Sequence, residues 1–155
     1  MKSTTSIRLL TLTLILGTCG SLKADVEPNP GTSLSDRFKR SADRYIGRPY
    51  VWGASGLKSF DCSGFVWRVM FDNGILFKRT TARKLYMCFP KVSSAGAERK
   101  SGNIVFFNNL KHCGIVNDGE SFYHAETTKG TNLSRFDPYW RSKVSGYRLL
   151  PVEGN

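Results

Sequence analysis

Segments with the 3.6-residue period of a helix occupy the first half of this chain and strand-like runs the second, and that order constrains the fold most. Leu34, Phe38, Ala42 and Tyr45 share one side of a predicted helix over 35–46, with Ser33 or Ser35 as its cap. Phe65, Val66, Val69 and Met70 mark a second helix, which Asn73-Gly74 stops, and a short third one starts near Thr81. Strands are predicted near 103–108, 112–117, 120–125 and 145–150, with Ile104-Val105-Phe106-Phe107 as a central strand and Pro151 ending the last. The expected class is α+β, with N-terminal helices packed on an antiparallel β-sheet. At 155 residues and 40% hydrophobic content, one domain with its own core fits and a second does not.

Where the second helix begins, the chain reads Asp61-Cys62-Ser63-Gly64-Phe65-Val66-Trp67, after a loop, Gly47-Arg48-Pro49-Tyr50-Val51-Trp52-Gly53-Ala54-Ser55-Gly56, broken by Pro and Gly. Cys62 falls in the first helical turn with Asp61 as its cap. The exposed amides and positive dipole end there favour the thiolate, which is the nucleophilic form. On this local pattern alone, Cys62 is equally readable as a small buried hydrophobe.

The only two histidines, His112 and His124, fall on one predicted hairpin around Asn117-Asp118-Gly119. A three-residue loop with Gly119 left-handed would pair Val116 with Glu120 and set His112 opposite His124, about 5 Å apart at Cβ on one face. A two-residue Asp118-Gly119 turn would put them on opposite faces. Taken singly, each histidine is readable as a packed or surface residue. Together with Cys62 they match the nucleophile, base and orienting group of acyl transfer.

These residues resemble the NlpC/P60 family of papain-like cysteine peptidases. The likeness rests on Pro49-Tyr50-x-Trp52-Gly53, Asp61-Cys62-Ser63-Gly64, Ser101-Gly102-Asn103-Ile104-Val105-Phe106-Phe107, His112-x-Gly114-Ile115-Val116 and His124-Ala125, in the family's order over roughly 34–150. It implies Cys62 as nucleophile, His112 as general base and His124 as the orienting group. It also implies Tyr50 beside the thiolate, Asp61 and Ser63 near the substrate, no cofactor, and peptidoglycan stem peptides as substrate, typically cut after γ-D-glutamate. Three positions depart from the pattern: Ala54 for a second glycine, Asn103 for an aspartate and Cys113 for an aliphatic residue. Small size, a secretion signal and high charge also resemble small interbacterial amidase toxins and their domesticated animal relatives.

Lys2 and Arg8, an apolar run over 9–16 and small residues up to Ala24 read as a signal peptide over 1–24. Residues 25–33 read as a short flexible lead and 34–155 as the catalytic domain. The apolar run is too short to span a bilayer. Leu16-Gly17-Thr18-Cys19 is a weak match to a lipoprotein box, set against an ordinary cleaved signal. Cleavage after Ala24 removes three of 23 basic residues and none of 12 acidic ones, so the net charge falls from +11 to +8. That charge suits anionic wall polymers. No nucleic-acid-binding motif is present, and Lys78-Arg79 and Arg83-Lys84 read as a solvated face. The expected protein is a secreted monomeric peptidoglycan hydrolase. The competing class is a non-catalytic cationic protein that disrupts bacterial surfaces by charge.

Secretion permits disulfides. With Cys19 removed and Cys62 catalytic, Cys88 and Cys113 remain as a candidate bridge, against two free buried thiols; Cys113 is expected to face away from the site that His112 faces. A zinc site is disfavoured, because no Cys-x-x-Cys or His-x-x-x-His pair occurs and adjacent His112 and Cys113 point to opposite faces of a strand. Asn132-Leu133-Ser134 matches an N-glycosylation acceptor.

Overall fold

The computed structural model describes residues 33–93 and 96–150, so the predicted leader, Cys19 and nearly all of the predicted lead lie outside the described residues. Helix α1 spans Leu34–Asp43, α2 Cys62–Asp72 and α3 Ala82–Cys88. The strands are β1 Ile104–Phe107, β2 His112–Val116, β3 Ser121–Glu126 and β4 Gly130–Arg135; α4 (Pro138–Lys143) and β5 (Val144–Arg148) follow. All five strands pair antiparallel in the order β4-β3-β2-β1-β5.

Each of the first three helices starts at a side-chain cap. Ser33 accepts from the Asp36 amide, Asp61 from Gly64 and Thr81 from Lys84, each satisfying an amide that the helix leaves unpaired. Helix α1 ends at Asp43, earlier than predicted, because residues 44–47 form a turn that closes on Gly47 at φ 80°. Tyr45 in that turn is nevertheless buried, with its ring 5.1 Å edge-on from Phe60, which is why it fits the helical pattern.

The sheet has an apolar layer on each face. One contains Phe38, Phe60, Phe65, Val69, Met70 and Ile115, where α2 packs on β2 and β3. The other contains Val105, Phe107, Val116, Phe122 and Phe136 under Trp140 of α4. Burying one such phenylalanine contributes about 2 kcal/mol.

The hairpin differs from both predicted turns. Val116 pairs with Phe122 and Gly114 with His124, and Asn117 and Asp118 both bond back to the Ser121 carbonyl. Asp118 also takes hydrogen bonds from the Glu120 amide and the Ser121 hydroxyl, which favours the longer loop. The register moves by two residues, so His112 and His124 keep a common face but sit diagonally instead of opposite.

Strand β4 and helix α4 are additional to the predicted elements. Strand β4 is an edge strand, buried at Gly130 and Thr131 and alternating half-buried and exposed from Asn132 onward, and its Thr, Asn, Ser and Arg side chains carry no apolar period. Helix α4 has only six residues, although Asp137 as cap and Pro138 at its first turn are start signals.

Candidate active site

A tight loop crossing sets the start of α2. A Cβ on Gly64 would lie 2.0 Å from the Ala54 carbonyl oxygen, so only glycine lets the loop rest on the first helical turn. That same carbonyl accepts the Asp61 amide at 2.9 Å. The Asp61 carboxylate accepts from Gly53 N (2.9 Å), Gly64 N (2.6 Å) and Ser63 Oγ (3.1 Å), and Arg79 Nη2 donates to both oxygens at 2.6 Å. Arg79 also donates to Ser63 Oγ at 3.0 Å. Asp61 and Ser63, expected near the substrate, are buried and directed into this internal network. Arg79, grouped at first with a solvated face, is the counter-ion that closes it.

The Cys62 thiol lies where α2 begins against the start of β2, 3.9 Å from the Lys111 carbonyl. Its amide and that of Ser63 precede the first intrahelical bond, from Phe65 N to Asp61 O. The thiol pKa is lowered to about 5. A hydrogen bond from Cys113 is the largest cause; burial opposes it, and the hydrogen bond and charge of His112 add to it. Burial and the bond to Cys62 push the Cys113 thiol well up, so at neutral pH it remains a protonated donor. Tyr50 is close enough for the charges of Cys62 and Asp61 to raise its hydroxyl pKa, after the larger effect of burial.

The predicted Cys88–Cys113 bridge is not formed, because Cys113 carries a free thiol. Strand alternation does turn Cys113 away from the face of His112, but at the first residues of β2 that direction leads to the N-terminus of α2. Cys113 therefore belongs to the surroundings of Cys62.

His112 Nε2 and His124 Nδ1 are 2.9 Å apart with the rings nearly perpendicular, which leaves His112 Nδ1 for the thiol. Trp140 stacks on His112 at 5.7 Å and meets the edge of His124 at 4.9 Å. His124 is fully buried; burial first, then the charge of His112, lowers its pKa to about 3, so it is neutral. Its Nε2 is 2.9 Å from Ser134 Oγ. Ser134 and Trp140 belong to the two elements that periodicity did not show; the cap and proline at Asp137-Pro138 were the only local signal for α4. Asn132, the glycosylation candidate, donates its amide to Glu126 and to the Gly130 carbonyl, so the nitrogen a glycan would modify is engaged inside the fold. Asn103, which replaces the usual aspartate, donates to the Ala97 and Glu98 carbonyls, which a carboxylate would repel. Among the described residues no group of three or more His, Cys, Asp or Glu converges as a metal site.

Two substitutions probe this geometry. A Cβ on Gly114 would meet the Tyr123 carbonyl at 2.5 Å and His124 Cβ at 3.1 Å, because the His124 and Phe122 side chains occupy the space above β2. Gly114→Ala is expected to cost about 2 kcal/mol in chemical denaturation; an unchanged midpoint would contradict the packing. Cys113→Val removes the main donor to Cys62. An ordinary thiol loses its thiolate as pH falls below about 8.5, whereas Cys62 should keep reacting with iodoacetamide until pH falls to about 5. The valine variant should move that midpoint upward, and an unmoved midpoint would remove Cys113 from the account. The sign for stability follows from the lowered pKa. Its contribution is complete above the unfolded thiol pKa, near 9, and is lost as pH falls through about 5.

The chain is similar to known proteins over most of the described residues. The NlpC/P60 family profile matches residues 47–149. The probable peptidoglycan endopeptidase LytE of Bacillus subtilis is 30% identical over 120 residues, covering 74% of this chain and 34% of that protein. Gamma-DL-glutamyl hydrolase of the same organism is 31% identical over 116 residues, covering 70% of this chain and 28% of the hydrolase. A Staphylococcus aureus lipoprotein-like protein of the NLP/P60 family, known by crystal structure, superposes with a TM-score of 0.66 at 28% identity, covering 77% of this chain and 42% of the other. The chain spans about a third or less of the length of these curated relatives.

Proposed function

The chain belongs to the NlpC/P60 family, and we propose that it is a cysteine peptidase that hydrolyses amide bonds in the stem peptides or cross-links of bacterial peptidoglycan. The observation that carries this reading is the acidified Cys62 thiol at the start of α2, beside a histidine hydrogen-bonded to a second, neutral histidine. Cys62 attacks the scissile carbonyl, and its proton passes to His112 Nδ1. The backbone amide at the helix start faces the developing oxyanion, a donor of the kind whose removal costs about 10²- to 10³-fold. The C–N bond breaks as His112 protonates the leaving amine, leaving a thioester on Cys62 that water hydrolyses. Tyr50 lines the same thiol and is the side chain assigned to substrate contact; Asp61 and Ser63 support the loop behind it.

The names of the two relatives, an endopeptidase of peptidoglycan and a γ-glutamyl hydrolase, favour a bond next to glutamate in the stem peptide. Wall access requires an extracellular or envelope location, where the net positive charge holds the enzyme against anionic wall polymers, either to remodel a wall or to attack another cell's. Among the described residues no helix is long and apolar enough to cross a membrane. The test is incubation of the purified protein with bacterial sacculi and mass spectrometry of the released muropeptides. New paired amine and carboxyl ends are expected. Release of nothing, with binding or killing retained, would instead favour a protein acting by charge.

A further inference from the structure

We propose that Asn132 and Ser134 of β4 are positioning residues that set the tautomer of His124, and through it the ability of His112 to carry the thiol proton. This rests on the peptidase reading above, but its polarity can be followed from atoms that leave little choice. The Gly130 carbonyl can only accept, and the Asn132 side chain is 3.0 Å from it and 3.1 Å from Glu126 Oε1. Asn132 must therefore present its NH2 there and its carbonyl oxygen elsewhere. That oxygen accepts the Ser134 hydroxyl at 2.9 Å. A hydroxyl has one hydrogen. With it spent on Asn132, Ser134 Oγ can only accept from His124 Nε2, 2.9 Å away. Neutral His124 then carries its hydrogen on Nε2 and a bare lone pair on Nδ1.

That lone pair faces His112 Nε2 at 2.9 Å. It accepts from His112 both when His112 is neutral and when it is the imidazolium formed on taking the Cys62 proton. With the other His124 tautomer, two N–H groups would meet between the rings whenever His112 was charged. Burial gives His124 no water to relieve such a clash. The edge strand that lacks an apolar period thus supplies the direction of the proton relay.

The polarity predicts a non-additive series of variants. In Asn132→Val the Ser134 hydrogen loses its acceptor and turns to His124 Nε2, forcing the hydrogen of His124 onto Nδ1. The ¹⁵N spectrum of the histidines should report this change of tautomer. The midpoint of Cys62 alkylation by iodoacetamide should rise, and kcat on sacculi should fall about tenfold with KM unchanged, part of what positioned acid–base groups supply. Adding Ser134→Ala removes the misdirected donor and should recover the original tautomer and part of the lost rate. Ser134→Thr keeps the hydroxyl and should retain the native tautomer and alkylation midpoint. Thermal melts confirm folding of each variant, and Asn132→Ala substitutes if the valine does not fold. An unchanged His124 tautomer in the folded Asn132 variant would overturn the proposal, as would a double variant no better than the single. Tautomer and alkylation are read without peptidoglycan, so failure of the relay and failure of the assigned substrate give different results.

Discussion

Alanine in place of Cys62 is expected to leave a protein that still folds and still adheres to sacculi but releases no muropeptide from them, a loss of about 10⁴-fold or more in turnover. The size follows from what the thiol does: without Sγ there is no covalent intermediate, and His112 has no proton to take. Stability should fall moderately, because the favourable pairing of the Cys62 thiolate with Cys113 and His112 is lost, without unfolding the protein. Cys62 is buried at the first residue of α2, but its side chain is small and removal exposes no unpaired buried carboxylate or guanidinium. Muropeptide release and thermal melting of the same preparation separate the two effects. Undiminished release by Cys62→Ala would end the nucleophile assignment. Equal killing of bacteria by wild type and variant, without new peptide ends, would transfer the activity to the protein's charge.

Asp61→Ala is expected to have the largest effect on stability, about 3 kcal/mol, or roughly 10 °C in Tm. The cap to Gly64 accounts for about 1 kcal/mol. More comes from Arg79, whose side chain is only 25% exposed and would lose both carboxylate oxygens, leaving a cation beside the positive end of α2 without its partner. The Gly53 amide and the Ser63 hydroxyl lose their acceptor at the same time. Asp61→Asn keeps an acceptor for the cap but gives up the ion pair, so it should fall between alanine and wild type. A melting temperature for Asp61→Ala within about 2 °C of wild type would show the network to be incidental. Because this network holds the loop bearing Tyr50 over the thiol, the variant should also alkylate at Cys62 with an altered pH profile while folded.

The parts of the site visible in the sequence were those made by near neighbours. The cap at Asp61 and the helix starting at Cys62 both act within one turn, so residue order carries them. The order of helices and strands was visible for a similar reason, since α2 repeats apolar side chains at the helical period and β1 is a short continuous apolar run. Strand β4 has no such period, and with it the partner of His124 was out of reach.

Sequence alone determined the α+β order, the family likeness and the placing of both histidines on one hairpin, with two turns open that would put them on the same or on opposite faces. Tertiary structure alone decided how they meet: a two-residue shift in register, set by hydrogen bonds within the 117–121 loop, turns an opposed pair into a diagonal one joined at 2.9 Å. It also decided that Cys113 donates to Cys62 rather than bridging Cys88, and that Arg79, 18 residues on, neutralises Asp61. Period two tells which face a strand residue takes, whereas the element covering that face is chosen by packing across the chain.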